Sequence, residues 1–154
     1  MSTILLATDG SPIAFAAIER AVALLGRDHR YISLAVVPPA YAPTMSVSPM
    51  ETHPTLIDPI LEQELDAEHR ATSAEDESEL DAHLGFATEH RVEMGEPGPT
   101  ICDVAAEVGA DLVVVGSHGL GWLQRVLLGS VSTHVLNHAP CPVLVARTDG
   151  RASA

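Results

Sequence analysis

The sequence predicts a single-domain α/β protein built on an open, mostly parallel sheet with helices on both faces. A length of 154 residues suits one domain with one ordinary core. Short apolar runs of strand length alternate along the chain with segments of helical spacing. One of these runs, Leu112 to Val115, is continuously apolar, which is typical of a parallel strand buried on both faces.

Five segments are predicted to be strands because they are short and rich in apolar or β-branched residues. They are Thr3–Thr8, Tyr31–Val37, Phe86–Glu93, Leu112–Val115 and Val143–Ala146. The third is the weakest, since charged residues interrupt it. The alternation with helices predicts that the strands run parallel and are joined by right-handed crossovers.

Three helices are predicted between the strands. The first, from Pro12 to Leu25, has an apolar stripe, with Ser11 as its N-cap and a proline in its first position. The second runs from Pro99 toward Gly109, the residue type expected just past a helix end. The third should start near Gly129 and stop before the prolines at 140 and 142.

Two segments interrupt the alternation of predicted strands and helices. Residues 38–59 are rich in Pro, Ser, Thr and Met, which predicts a long loop that serves as a lid, forms a partner site or is disordered. Residues 60–84 carry most of the acidic excess, and a solvated helix face is favoured there over a metal site. We expect one domain over residues 1–148, followed by a flexible tail at 149–154.

Charge and composition exclude several function classes. Acidic residues outnumber basic ones by 21 to 8, for a net charge of -13, and this repels nucleic acid and anionic lipid. All basic residues are arginines, so lysine-dependent P-loops, Schiff bases and kinase-like phosphate clamps are excluded. The sequence shows neither an apolar run long enough to span a membrane nor a basic secretory leader, so we expect a cytoplasmic protein.

The cysteines and a histidine pair favour structural roles. Cys102 and Cys141 are too few and too far apart in sequence for a disulfide scaffold, so they are predicted to be buried free thiols. His134 and His138 have the i, i+4 spacing of metal ligands on the last helix, but no third ligand is placed near them.

The loops after strands one and four should hold a ligand, because ligands bind at the carboxyl ends of strands in open parallel sheets. After strand one, a tight polar turn brings Asp9 to the edge of the sheet. After strand four, Gly116 and Gly119 allow a bulky anion to approach the backbone. A nine-residue excursion then leads to Gly129-Ser130, where a helix start offers free N–H groups to phosphate oxygens.

These features together resemble the universal stress protein family, in the ATP-binding branch that has the motif G-x2-G-x9-G-[ST]. Gly116, Gly119, Gly129 and Ser130 occupy all the motif positions, and Asp9 lies in the D-G-S element of the first strand. The segments V-E-M-G-E-P at 92–97 and P-C-P-V-L-V at 140–145 are also similar to family elements. Only residues 38–84 lack a detailed match.

The resemblance implies a Rossmann-like sheet in the order 3-2-1-4-5, with strands one and four adjacent. It implies ATP with Mg²⁺ in the crevice between them, and a homodimer formed through Val143–Ala146. Carried over by position, the residues fall into three groups. Asp9 and Val37 would contact the adenine and ribose, Gly116 and Gly119 would lie under the phosphates, and Gly129, Ser130, Val131 and Ser132 would bind the β- and γ-phosphates. Arg125 would be either a further phosphate ligand or an exposed arginine.

The function that the resemblance implies is that of an ATP-binding regulatory or signalling module of the stress response. The alternatives are a slow ATPase that uses the same site and a nucleotide-free protein-interaction module. His118, between the motif glycines, is the one nearby candidate for a base, although a solvent-facing loop histidine is the favoured interpretation. GTP and cyclic nucleotides remain open as ligands.

Overall fold

The computed structural model describes residues 1–38, 77–117 and 128–147 of the chain. The elements follow in chain order. They are β1 (Thr3–Thr8), α1 (Pro12–Leu25), β2 (Arg30–Val37), the described part of α2 (77–84), β3 (Glu89–Met94), α3 (Pro97–Glu107), β4 (Leu112–Gly116), α4 (Ser130–His138) and β5 (Val143–Ala146). The predicted 38–59 loop beyond residue 38, most of the acidic segment, residues 118–127 and the predicted tail lie outside the described residues.

The five strands form one sheet in the order β3-β2-β1-β4-β5, and every neighbouring pair is parallel. This confirms the predicted fold class and strand order. In β1, Leu5 is paired with Ile32 of β2 on one side and with Val113 of β4 on the other. The sheet therefore reverses its winding between β1 and β4, and this reversal positions the candidate site.

Helix α1 begins where its capping residues predict. The Ser11 hydroxyl oxygen accepts a hydrogen bond from the Ala14 amide at 3.2 Å, and Pro12 occupies the first turn. The apolar stripe, which includes Phe15 and Ile18, is buried against the sheet. The helix ends at Gly26, whose φ of 89° is easily adopted only by glycine.

Two elements begin two or more residues away from their predicted starts. Helix α3 begins at Pro97 instead of Pro99, because prolines fit the first turn, where the helix needs no N–H donors. Strand β3 begins at Glu89 instead of Phe86. The Phe86 ring lies 5.4 Å from the Arg27 guanidinium carbon and packs against Tyr31, so it belongs to the turn after α2.

The core consists of two apolar layers, one on each face of the sheet. Helices α1 and α2 cover one face, with Phe15, Ile18 and Leu80 among the buried side chains. Helices α3 and α4 cover the other, with Ile101 and Val135. Helices therefore lie on both faces, as predicted. No helix in the described ranges is both long enough and apolar enough to span a bilayer.

Candidate functional site

The candidate site lies where β1 and β4 end side by side. Because these strands are neighbours and parallel, the turn after Thr8 and the segment after Gly116 leave the same edge of the sheet. Their helices then diverge, since α1 packs on one face and α4 on the other. A crevice at such a reversal is where open α/β sheets bind ligands.

The turn after β1 is held by its own polar side chains. Asp9 Oδ1 accepts bonds from the Ser11 amide at 3.0 Å and from the Ser11 hydroxyl at 2.6 Å. The Thr8 hydroxyl oxygen accepts the Gly10 amide at 3.1 Å, and Gly10 has a φ of 75°. Both Asp9 bonds use the same oxygen, and the residue is exposed. The turn therefore presents a fixed carboxylate to solvent beside the strand ends.

The residue after β4 and the residue before α4 lie next to each other. The Gly129 amide donates to the Ser117 carbonyl oxygen at 3.2 Å, so the residues before α4 lie next to the end of β4. The Ser117 amide in turn donates to the Ala146 carbonyl oxygen of β5 at 3.0 Å. The first turn of α4 is thereby anchored beside the end of β4.

The start of α4 differs from the other two helix starts in the described residues. In α1 the Ser11 side chain caps an amide, and in α3 Pro97 and Pro99 provide no N–H groups. The N-cap of α4 is Gly129, which has no side chain, and no acidic residue lies in the first turn. The amides of this turn can therefore be satisfied by an anionic ligand, which the helix dipole also favours.

The structure brings most of the predicted site residues to this end of the sheet. Val37 ends β2, and its carbonyl oxygen accepts the Gly95 amide at 3.0 Å. Ser130 is exposed and Val131 is half-buried at the start of α4. Ser132 is only 3% exposed, so Ser130 is the exposed one of these two serines.

Three other residues singled out from the sequence, Gly119, Arg125 and His118, lie outside the described residues. Their assignments stay predictions.

No cluster of three or more potential metal-ligating side chains occurs in the described ranges. The His134 and His138 rings are stacked, with centroids 4.2 Å apart and planes inclined by 19°. His138 Nδ1 donates to the His134 carbonyl oxygen at 2.8 Å, which occupies one ring nitrogen within the helix. The two rings stack on each other. Their nitrogen atoms therefore do not converge on one point, as the ligands of a metal ion must.

The sequence analysis missed a Ser-His-Asp network on the α1/α2 face of the sheet. Ser33 Oγ lies 2.5 Å from His90 Nδ1, and His90 Nε2 lies 3.1 Å from Asp81 Oδ2. Thr88 completes it by donating its amide and hydroxyl to Asp81 Oδ1 at 3.0 and 2.9 Å. The parallel register of β2 and β3 brings Ser33 beside His90, which their sequence separation conceals.

This network lacks two features that a serine hydrolase needs. Ser33 is 5% exposed in the interior of β2, between Leu6 of β1 and His90 of β3, so a substrate carbonyl has no route to its hydroxyl. Its strand position also provides no turn or helix start that could form an oxyanion hole. The network instead fastens α2 to the sheet.

The cysteines are free thiols but are half-buried, whereas the sequence predicted buried ones. Burial raises the pKa of Cys102, and the nearby Asp103 and Cys141 raise it further. Burial and the charge of Asp111 likewise raise the pKa of Cys141 against the opposing effect of the Val113 amide. Neither thiol has the lowered pKa that marks a reactive cysteine.

Comparison with known proteins gives matches over nearly the whole chain. A family model described as the universal stress protein family matches residues 1–147. Universal stress protein Sll1388 from Synechocystis sp. is 32% identical over 151 residues, which cover 94% of this chain and 96% of that protein.

Solved structures give the same result. Universal stress protein UspA from Lactobacillus plantarum superimposes with a TM-score of 0.69 at 28% identity, covering 95% of this chain and 97% of that one. A universal stress protein in complex with cAMP superimposes with a TM-score of 0.63 at 26% identity, covering 96% and 98%. That neighbour binds an adenine nucleotide.

Proposed function

The chain belongs to the universal stress protein family, and on that premise we propose that it binds ATP with Mg²⁺ and acts as a regulatory or signalling module in the stress response. One observation carries the proposal. The Asp9 turn and the uncapped first turn of α4 lie at the same end of the sheet, where its winding reverses. We propose that the protein acts in the cytoplasm.

The phosphates would be bound at the start of α4. Backbone N–H groups of Ser130, Val131 and Ser132 carry the partial positive charge of a helix N-terminus, and the exposed Ser130 hydroxyl can add a hydrogen bond. Gly116 and Gly119, the first two glycines of the motif, would let the backbone approach the phosphates closely. This arrangement explains how a chain of net charge -13 without lysine can bind a polyanion locally.

The nucleoside would lie toward β1 and β2. Asp9 Oδ1 accepts both bonds from Ser11, and Oδ2 would accept a bond from a ribose hydroxyl. Val37, at the end of β2, would contact the base. The cAMP complex of a structural neighbour supports an adenine nucleotide as the ligand class. Mg²⁺ would take most of its ligands from the phosphates and water, which is consistent with a site that has few carboxylates.

The output of such a module would be conformational. ATP can shift the protein between two states only if it binds one state more tightly than the other. The rival function, slow ATP hydrolysis, requires a group that orients a water molecule, and His118 is the candidate that the sequence supplies. Incubation with labelled ATP and Mg²⁺ distinguishes the two, since turnover that His118→Ala abolishes would favour an enzyme.

We also propose a homodimer formed through β5. The sheet has two edges, and their side chains differ in kind. Edge strand β3 contains Glu89, Arg91 and Glu93, which discourage pairing with another chain, whereas Val143–Ala146 of β5 is entirely apolar. Sedimentation velocity should show a dimer, and Val143→Lys should shift it to monomer. A monomer for the wild type at all concentrations would contradict this part of the proposal.

Binding is tested by isothermal titration calorimetry with ATP and Mg²⁺. The wild type should bind, and Gly119→Val should lose binding because its side chain would occupy the space of a phosphate. Gly26→Ala, at the opposite end of α1 from the Asp9 turn, is the control and should bind like the wild type. Absence of binding by the wild type, or unchanged affinity in Gly119→Val, would overturn the phosphate-site assignment.

A further inference from the structure

Helices α3 and α4 touch through a glycine and a histidine. Gly98 is buried in the first turn of α3, and His134 of α4 lies directly against it. A Cβ added at Gly98 would be 2.8 Å from His134 Cγ and 2.9 Å from both Cβ and Cδ2. Real Cβ atoms do not approach other atoms this closely, so only glycine allows the two helices their observed separation.

The His134 side chain has no simple way to move aside. One of the three close atoms is its own Cβ, which is fixed to the α4 backbone and does not move when the side chain rotates. The ring is also stacked on His138 at a centroid distance of 4.2 Å. A larger residue at position 98 must therefore displace the α4 backbone relative to α3.

Helix α4 is also restrained by the bond from the Gly129 amide to the Ser117 carbonyl oxygen and by the packing of Val131 on the apolar layer. It spans nine residues, and its buried residues are Ser132 and Val135. His134 lies one turn after Ser130, so a displacement at His134 is passed rigidly to the amides at the start of the helix. The contact between Gly98 and His134 thus sets the distance of those amides from α3, alongside the bond between Gly129 and Ser117.

We propose that Gly98 and His134 are positioning residues for the phosphate-binding amides of α4. This inference rests on the proposed ATP site. It states that the contact between α3 and α4 determines the positions of the amides that would bind the phosphates. Binding groups must be held to within about 0.5 Å of their productive positions, and the overlap at Gly98 is a displacement of that size. The nucleoside half, near Asp9 and Val37, lies on other elements and would not move.

The test compares the affinities for ATP and for adenosine, measured by calorimetry in the same variants. Gly98→Ala should weaken ATP binding by about tenfold and change adenosine affinity by less than about twofold. His134→Ala introduces no overlap and therefore no barrier to folding. It should weaken ATP binding in the same selective way, because α4 loses the contact of the His134 ring with Gly98.

Gly109→Ala is the matched control. Gly109 lies just past the other end of α3 with a φ of 62°, and a Cβ there would meet nothing within 4 Å. The substitution strains the chain without touching α4, so it should lower stability but leave both affinities unchanged.

Unchanged ATP affinity in folded Gly98→Ala and in His134→Ala would overturn the inference. So would equal losses for ATP and adenosine, or an ATP loss in Gly109→Ala as large as that in Gly98→Ala. Failure of the proposed function is a separate result, since the wild type itself would then not bind ATP.

Discussion

Asp81 fastens the described end of α2 to the sheet, and its replacement by asparagine measures what that fastening contributes. The carboxylate accepts bonds from the Thr88 amide and hydroxyl at 3.0 and 2.9 Å and from His90 Nε2 at 3.1 Å. Burial acts to raise the pKa of Asp81, but the bonds from His90 and Thr88 outweigh it and hold the pKa below its ordinary value. Folding therefore stabilises the charged carboxylate.

The size of the effect follows from the bonds that asparagine cannot reproduce. It keeps an accepting oxygen for Thr88 but removes the charge that faces His90. A hydrogen bond to a charged group contributes about 1.5–3 kcal/mol, and the 28% exposure of the Asp81 side chain favours the lower half of that range. Asp81→Asn should lower the free energy of unfolding by about 2 kcal/mol, which shifts the urea midpoint down by about 1 M.

The pH dependence has a definite sign. Because the folded pKa of Asp81 is depressed, its contribution is present above the unfolded pKa of about 3.9 and is lost as the pH falls through the lower folded value. The difference between wild type and variant should shrink as the pH is lowered from about 5 to about 3. Asp103→Asn, at an exposed position on α3, is the control. Equal urea midpoints at neutral pH, or a difference unaffected by acid, would refute the reasoning.

Three further predictions concern backbone strain, thiol reactivity and the core. Gly95→Ala should destabilise the fold by about 2 kcal/mol, since φ is 152° and the new Cβ would lie 2.5 Å from Thr100 Oγ1; an unchanged melting temperature would contradict this. Iodoacetamide should alkylate Cys102 and Cys141 more slowly in the folded protein than in urea, because both thiol pKa values are raised; equal rates would contradict it. Phe15→Ala, at a 1% exposed position, should lower the unfolding free energy by about 3–5 kcal/mol in urea titrations, and a loss below about 1 kcal/mol would show poor packing there.

Local signals account for the parts of the fold that the sequence predicted correctly. Ser11 and Pro12 mark the start of α1 because a cap and a first-turn proline act within one helical turn. The apolar run in β4 identifies a strand buried on both faces. The start of β3 was placed wrongly because Phe86, an apolar residue next to the strand, packs against Arg27 in three dimensions and not along the strand.

The candidate site was partly predictable for the same reason. The Asp9 turn and the glycine motif are short segments whose geometry depends on neighbouring residues, and the adjacency of β1 and β4 follows from the fold. The Ser33, His90 and Asp81 network was not predictable, because Ser33 and His90 are 57 residues apart and meet only through the register of β2 and β3. No spacing rule along the chain encodes that register.

The contact between α3 and α4 adds a constraint that neither helix shows alone. Gly98 lies just before the predicted start of this helix at Pro99 but inside α3 as observed, where alanine has a higher helix propensity than glycine. Glycine is nevertheless required at this position, because a methyl group would overlap the Cβ and ring of His134. Alanine at position 98 should therefore become stabilising by helix propensity only when residue 134 is also reduced to glycine. The residues at positions 98 and 134 are therefore coupled, and the geometry of the α4 amides depends on the contact between them.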